Sequence, residues 1–174
     1  MVDTRLERWV VQHRTPWLDD LFVALSHIGN SGLVWLVLAL LATVLWRRPS
    51  IFLFVLAGNL ISGYASFGLR QAIGRDRPPH RFPDPPPIVD VPVSDSFPSG
   101  HSASAFACAA LLAWLTPLPK VPLFALAGLI AFSRVYNGVH YPLDVIGGAV
   151  LGLAVATALR LLAGARRRSA PAPR

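Results

Sequence analysis

Uncharged, mostly apolar runs dominate the chain, at residues 21–46, 49–69, 96–119, 121–133 and 145–159. A helix that crosses a bilayer needs about 20 such residues, so these runs predict helices in lipid. The first run is too long for one helix. Gly29-Asn30-Ser31-Gly32 in its middle is turn chemistry and divides it. The pattern therefore predicts apolar helices over about 15–28, 32–47, 50–70, 99–117, 120–134 and 142–165. The first is short enough to leave open whether it spans or lies tilted at the interface. Ahead of it, Leu6, Trp9, Val10 and His13 recur at helical spacing among charges. Residues 1–14 thus read as an interfacial amphipathic helix. The proline-rich stretch 78–98 is expected to be loop. The expected fold is all-α: one polytopic domain, 1–174, with a six-helix transmembrane bundle and an N-terminal amphipathic helix.

Composition agrees with that reading and sharpens it. Hydrophobic residues make up 53% and charged residues 14% of the 174 positions, against about 25% charged in a soluble domain. Mean hydropathy is +0.50. The net charge is nonetheless +7. Its cations are parted by long apolar runs rather than interleaved with aromatics, so a nucleic-acid partner is not expected. The single cysteine, Cys108, excludes an internal disulfide framework and reads as a small core residue. The N-terminal segment mixes both charge signs without an apolar core, so no signal peptide is expected there. A cysteine-based structural zinc site is likewise excluded, no cofactor is called for, and oligomeric state is not legible.

With six spans, parity places the N-terminus, Arg47-Arg48, Lys120 and the basic tail 166–174 on one face. The other face then holds the 29–32 turn, the 70–100 loop and residues 134–142. Basic residues favour the cytoplasmic side, so both termini are expected to be cytoplasmic and the loop face extracytoplasmic.

Three polar clusters converge on that loop face. Arg70 and Arg77-Pro78 follow the third apolar helix, and Pro98-Ser99-Gly100-His101 opens the fourth. Ser133-Arg134, His140 and Asp144 bracket the last connection. Guanidinium groups fork onto phosphate oxygens in a way that ammonium groups cannot. Ser99 and Gly100 sit where a helix N-terminus favours an anion. His101 stands beside that position as a candidate general acid. His140 and Asp144 are four residues apart, so a helical start puts them on one face, with Asp144 able to orient the imidazole as nucleophile. Arg75 and Asp76 read as solvated loop. His80, Arg81 and Asn137 are further residues near the site in sequence, and His13 and His27 read as structural.

Arg70-x6-Arg77-Pro78, Pro98-Ser99-Gly100-His101 and Ser133-Arg134-x5-His140-x3-Asp144 together resemble the three-part signature of the type 2 phosphatidic acid phosphatase family. The same superfamily includes vanadium haloperoxidases and glucose-6-phosphatase. One departure is Arg70, where the family usually carries Lys. The resemblance implies a metal-independent membrane lipid phosphatase. Arg70, Arg77, Ser99, Gly100 and Arg134 would bind the phosphate, His140 would form a phosphohistidine, Asp144 would orient it, and His101 would serve as acid and then base. It further implies a lipid phosphate as the partner, surrounded by membrane lipids. The arginine-rich composition suggests a bacterial genome, and hence the bacterial plasma membrane. Polyprenyl diphosphate or polyprenyl-phosphoribose phosphate is the favoured substrate; phosphatidylglycerophosphate, phosphatidic acid, or transfer to an acceptor lipid are the alternatives.

Overall fold

The computed structural model describes residues 2–169, with side chains described to residue 165; the basic tail expected at 166–174 lies outside the described side chains. Among the described residues the secondary structure is entirely helical. Seven helices exceed ten residues: α1 (Val2–Gln12), α2 (Pro16–Ile28), α3 (Leu33–Trp46), α4 (Pro49–Ile73), α6 (Gly100–Leu115), α7 (Lys120–Tyr136) and α8 (Pro142–Ser169). A one-turn helix, α5 (Pro78–Arg81), interrupts the stretch expected to be loop. Local chemistry explains the boundaries. Prolines stand in the first turns of α2, α4 and α5, where the missing N–H costs nothing. Gly74, at φ +66, ends α4.

α6 is the axis of the molecule. Ala103, Ala105, Ala107, Cys108, Ala109, Leu111 and Leu112 are all buried around its circumference, between α4, α7 and α8. Small residues permit that closeness. A side chain at Gly152 of α8 would put its Cβ 2.2 Å from the Ala103 carbonyl oxygen, and one at Gly148 would come 2.4 Å from that of Ser99. α6 and α8 run in the same direction: Gly148 meets Ser99 at one end, and Arg160 lies over the Trp114 ring at the other. The end bearing Ser99 is called here the site end.

Two elements are long and apolar enough to cross a membrane, the stretch Pro49–Arg81 and Pro142–Ala165. A third arises if α2 and α3 count as one broken span. The six-span expectation is not confirmed among the described residues. α2 and α3 are bent by only 53° at Asn30–Gly32, so the chain kinks and continues instead of reversing. Ser31 at φ 53 and Gly32 at φ 72 make the kink, and a side chain on Gly32 would collide with Asn59. The track begins beside Tyr136, whose hydroxyl accepts a hydrogen bond from the Thr15 N–H. It ends at the far end, where the Arg48 guanidinium donates to the Leu115 carbonyl. Five tracks therefore run between the two ends: α2–α3, α4, α6, α7 and α8.

A second expectation concerns the N-terminal segment, read as lying at the end opposite the loops. α1 lies at the site end, not beside the start of α8's basic continuation. Arg8 donates to the carbonyls of Phe82 and Asp84, and Arg14 to that of Pro86. α1 and the far end of α8 thus lie at opposite ends of the bundle. Charge sorts accordingly. All nine acidic residues of the chain lie in α1, the first two turns of α2, the first turn of α8, or the 75–99 loop. Arg47, Arg48, Lys120 and Arg160 stand at the far end with no acidic neighbour.

Candidate active site

The N-terminus of α6, the C-terminal parts of α4 and α7, and the loops at the site end enclose a cavity of about 620 Å³. Arg70, Arg77, Gly100, His101, Arg134 and His140 line it. The sequence motifs are 70 positions apart at their extremes, and the tracks bring them to one chamber. Ser99 and Asp144 stand just behind the wall, fully buried. The cavity reaches down past the kink, where Gly29, Ser31 and Gly32 face Asn59 and Ser104, and towards the exposed α4 residues Leu60, Tyr64 and Phe67.

Arg77 is held rigidly. Its guanidinium donates to the carbonyls of Ser94 (2.6 Å), Asp95 (3.1 Å) and Val139 (2.9 Å). Its Nη1 also lies 3.1 Å from His140 Nε2. A guanidinium can only donate, so Nε2 carries the lone pair and Nδ1 carries the proton. That proton faces Asp144 Oδ2, 3.4 Å away. Burial pushes the His140 imidazole down to about 4, with Arg77 and Arg134 adding to the effect and Asp144 opposing it. At neutral pH the ring is uncharged, with its Nε2 lone pair facing Arg77 Nη1.

The other phosphate-binding candidates have similar supports. Arg70 Nη1 donates to the Pro98 carbonyl at 3.3 Å, and Arg134 donates to the Ser26 hydroxyl of α2. Arg70 Nε, Arg134 Nε and Ser99 Oγ are buried polar atoms without a protein partner. Buried donors are rarely left unpaired in a finished core, and here they suit the oxygens of an anion. Gly100 keeps the floor open: a Cβ there would come 3.0 Å from Arg70 Nη1 and 3.3 Å from Ser66 Oγ. The first N–H groups of α6 have no partner within the helix and add positive potential at this point. His101 Nε2 donates to Asn30 Oδ1 at 2.8 Å.

Several residues are not where sequence reasoning put them. Arg75, read as solvated, bridges Asp144 Oδ1 and Asp3 Oδ2, each at 2.5 Å. Asn137 is buried and donates to the Phe22 carbonyl, away from the cavity. Arg81 pairs with Asp76 on the exterior, and neither it nor His80 lines the chamber. Asn30 was passed over. Its signal was present only as turn chemistry, which does not reveal what a turn touches. Cys108 is a buried core residue, as its surroundings in sequence suggest.

A neutral, oriented histidine beside three convergent guanidinium groups, at the end of a membrane helix bundle, is an arrangement suited to phosphoryl transfer by a membrane phosphatase. Comparison with known proteins agrees. The PAP2 superfamily profile matches residues 51–168. Decaprenylphosphoryl-5-phosphoribose phosphatase of Mycobacterium tuberculosis is 38% identical over 148 residues, covering 83% of this chain and 80% of its own length. Phosphatidylglycerophosphatase B of Bacillus subtilis is 32% identical, over 87% of this chain and 78% of its own. The crystal structure of Aquifex aeolicus LpxE superposes with a TM-score of 0.82 at 28% identity, covering 92% of this chain and 96% of that one. The chain belongs to the PAP2 superfamily, and it is a phosphatase.

Proposed function

We propose that the protein is a lipid phosphatase that removes a terminal phosphate from a polyprenyl-linked phosphate, a polyprenyl-phosphoribose phosphate or a polyprenyl diphosphate, through a phosphohistidine. The observation that carries the reading is the pair of contacts on His140: Arg77 at Nε2 and Asp144 towards Nδ1. They fix one tautomer and point the Nε2 lone pair at Arg77, whose donor turns to the phosphate oxygens when substrate binds. Nε2 attacks phosphorus, and the bond from phosphorus to the lipid oxygen breaks. The leaving oxygen takes a proton from His101. Water then attacks the phosphohistidine, giving its proton to His101, and the P–N bond breaks to release phosphate. Arg70, Arg77 and Arg134 neutralise the transferring group's charge, the task a divalent ion performs elsewhere. Activity is therefore expected to survive EDTA. The polyprenyl assignment draws on the similarity to the mycobacterial phosphatase and on a cavity that continues to the apolar α4 surface.

The reading places five crossings in the plasma membrane, with the shorter α6 and α7 held upright by their neighbours. The far end is assigned to the cytoplasm, because Arg47, Arg48, Lys120 and Arg160 flank the spans there. The site and α1 are then extracytoplasmic. Purified protein supplied with a polyprenyl-phosphoribose phosphate, phosphatidylglycerophosphate and phosphatidic acid in detergent tests the proposal. Preferred release of phosphate from the polyprenyl substrate is expected, together with an acid-labile phosphoprotein lost in His140→Ala. Preferred turnover of a glycerophospholipid would overturn the substrate assignment, and an active His140→Ala the mechanism.

A further inference from the structure

Asp144 has two carboxylate oxygens, and only one serves His140. Oδ2 faces His140 Nδ1 and accepts the Tyr141 N–H at 2.8 Å. Oδ1 is taken by Arg75 Nη1 at 2.5 Å. Asp144 is wholly buried, and Arg75 is the guanidinium that grips its outer oxygen and fixes its plane. The guanidinium lies over the Tyr141 ring, 4.2 Å from its centroid. Its other arm, Nη2, meets Asp3 Oδ2 at 2.5 Å.

Asp3 comes from the opposite end of the sequence. Asp3, Glu7 and Val11 recur every fourth residue and form the buried face of α1. The second oxygen of Asp3 accepts the Leu143 N–H at 2.9 Å. That amide lies in the first turn of α8, where N–H groups lack helical partners. Asp3 therefore caps from outside the same helix turn that carries Asp144, while holding the arginine that holds Asp144. The His140–Asp144–Arg75–Asp3 chain is continuous from the cavity wall to the N-terminal helix.

We propose that Arg75 and Asp3 are positioning residues for the His140–Asp144 pair, so that the N-terminal amphipathic helix is a working part of the catalytic centre. The inference rests on the reading of His140 as nucleophile. Two separable effects follow from the geometry. Arg75 aligns the carboxylate, and its charge offsets that of Asp144 and so restrains the basicity of His140. The other groups facing His140 are Arg77 from the loop, Arg134 from α7, His101 from α6 and Asp144 from α8. These remain in place when Arg75 is replaced.

The test is a pH series of kcat and KM for phosphate release from a polyprenyl phosphate in detergent, on Arg75→Gln, Arg75→Lys, Asp3→Asn and His140→Ala. Thermal unfolding and size exclusion monitor folding. Arg75→Gln is expected to lower kcat about 10- to 100-fold, the range seen when a partner one step beyond the reacting groups is removed, with KM little changed. Its acid limb should move towards neutral pH, because the ring holds its proton more tightly without the nearby cation. Arg75→Lys keeps the charge but cannot bridge two carboxylates, so the limb should return while kcat recovers only in part. Asp3→Asn, which retains both Arg75 and an oxygen for Leu143, should lower kcat less and leave the limb in place. Should Arg75→Gln fail to fold, Arg75→Lys and Asp3→Asn decide the matter by their kcat. Wild-type kcat and pH profile in the folded variants, with His140→Ala inactive, would overturn this proposal alone. An active His140→Ala would instead overturn the reading of the site on which it rests.

Discussion

His101 Nε2 donates to Asn30 Oδ1 at 2.8 Å, which ties the proposed acid of the reaction to the kink between α2 and α3. An amide oxygen only accepts, so Nε2 keeps its proton for Asn30, and the proton given to the leaving oxygen is the one that Nδ1 carries when the ring is imidazolium. Loss of this contact frees the ring to rotate and to change tautomer. Asn30→Ala is expected to lower kcat about tenfold, part of the 10²–10⁴ that general acid catalysis typically supplies. Thermal stability should be little changed. Steady-state kinetics beside a melting curve check it, and an unchanged kcat would show that Asn30 does not position the acid.

Gly100 makes a different prediction, about binding. A methyl group on this residue would sit 3.0 Å from Arg70 Nη1, and the guanidinium would have to give by a few tenths of an ångström. Gly100→Ala should raise KM about tenfold, equivalent to about 1.4 kcal/mol of binding. Inhibition by inorganic phosphate should weaken in parallel. If the variant loses kcat alone, Arg70 is not displaced from a binding role.

The pH dependence follows from the burial of His140. Its imidazole is pushed down from an ordinary 6.5 to about 4, and attack requires the neutral ring. Activity governed by this group is therefore present above about 4 and lost as pH falls through that value. The acid limb of kcat/KM is expected near pH 4 in the wild type. A limb at pH 6.5 would mean that the ring titrates as if exposed.

Glu7 acts on stability with the opposite sign. It is fully buried in α1, both carboxylate oxygens lack hydrogen-bond partners, and burial raises its carboxyl from 4.5 to about 7. The folded state thus binds a proton that the unfolded chain releases at lower pH. Its contribution is complete below about 4.5 and is lost as pH rises through about 7. Glu7→Gln keeps the shape without the charge. Its Tm should exceed that of the wild type above pH 7, with the gap closing towards pH 5. A gap independent of pH would place the Glu7 effect elsewhere.

Much of this molecule is written locally. Hydropathy and proline placement mark α4, α6, α7 and α8 to within a few residues, because in lipid each helix must satisfy its own backbone. The signature residues also declare themselves: three arginines, Ser99-Gly100-His101 and the His140–Asp144 spacing need only the end of a helix to make chemical sense. Their common chamber was inferable once those ends were known to share a face.

What the tertiary structure decided turns on one break in the chain. Gly29-Asn30-Ser31-Gly32 reads as a turn, yet whether such a turn reverses a helix or merely bends it depends on what packs beside it. Here Asn59 of α4 donates to the Ser31 carbonyl and closes against Gly32, and the chain bends by 53°. That angle changes the parity of everything before it, carrying α1 from the far end to the site. Only then do Asp3 and Arg75 meet, 72 residues apart in sequence, and only then does a loop arginine with no motif become the partner of Asp144. Short-range chemistry sets the elements and the reactive groups. Long-range packing sets which side of the membrane domain each one reaches.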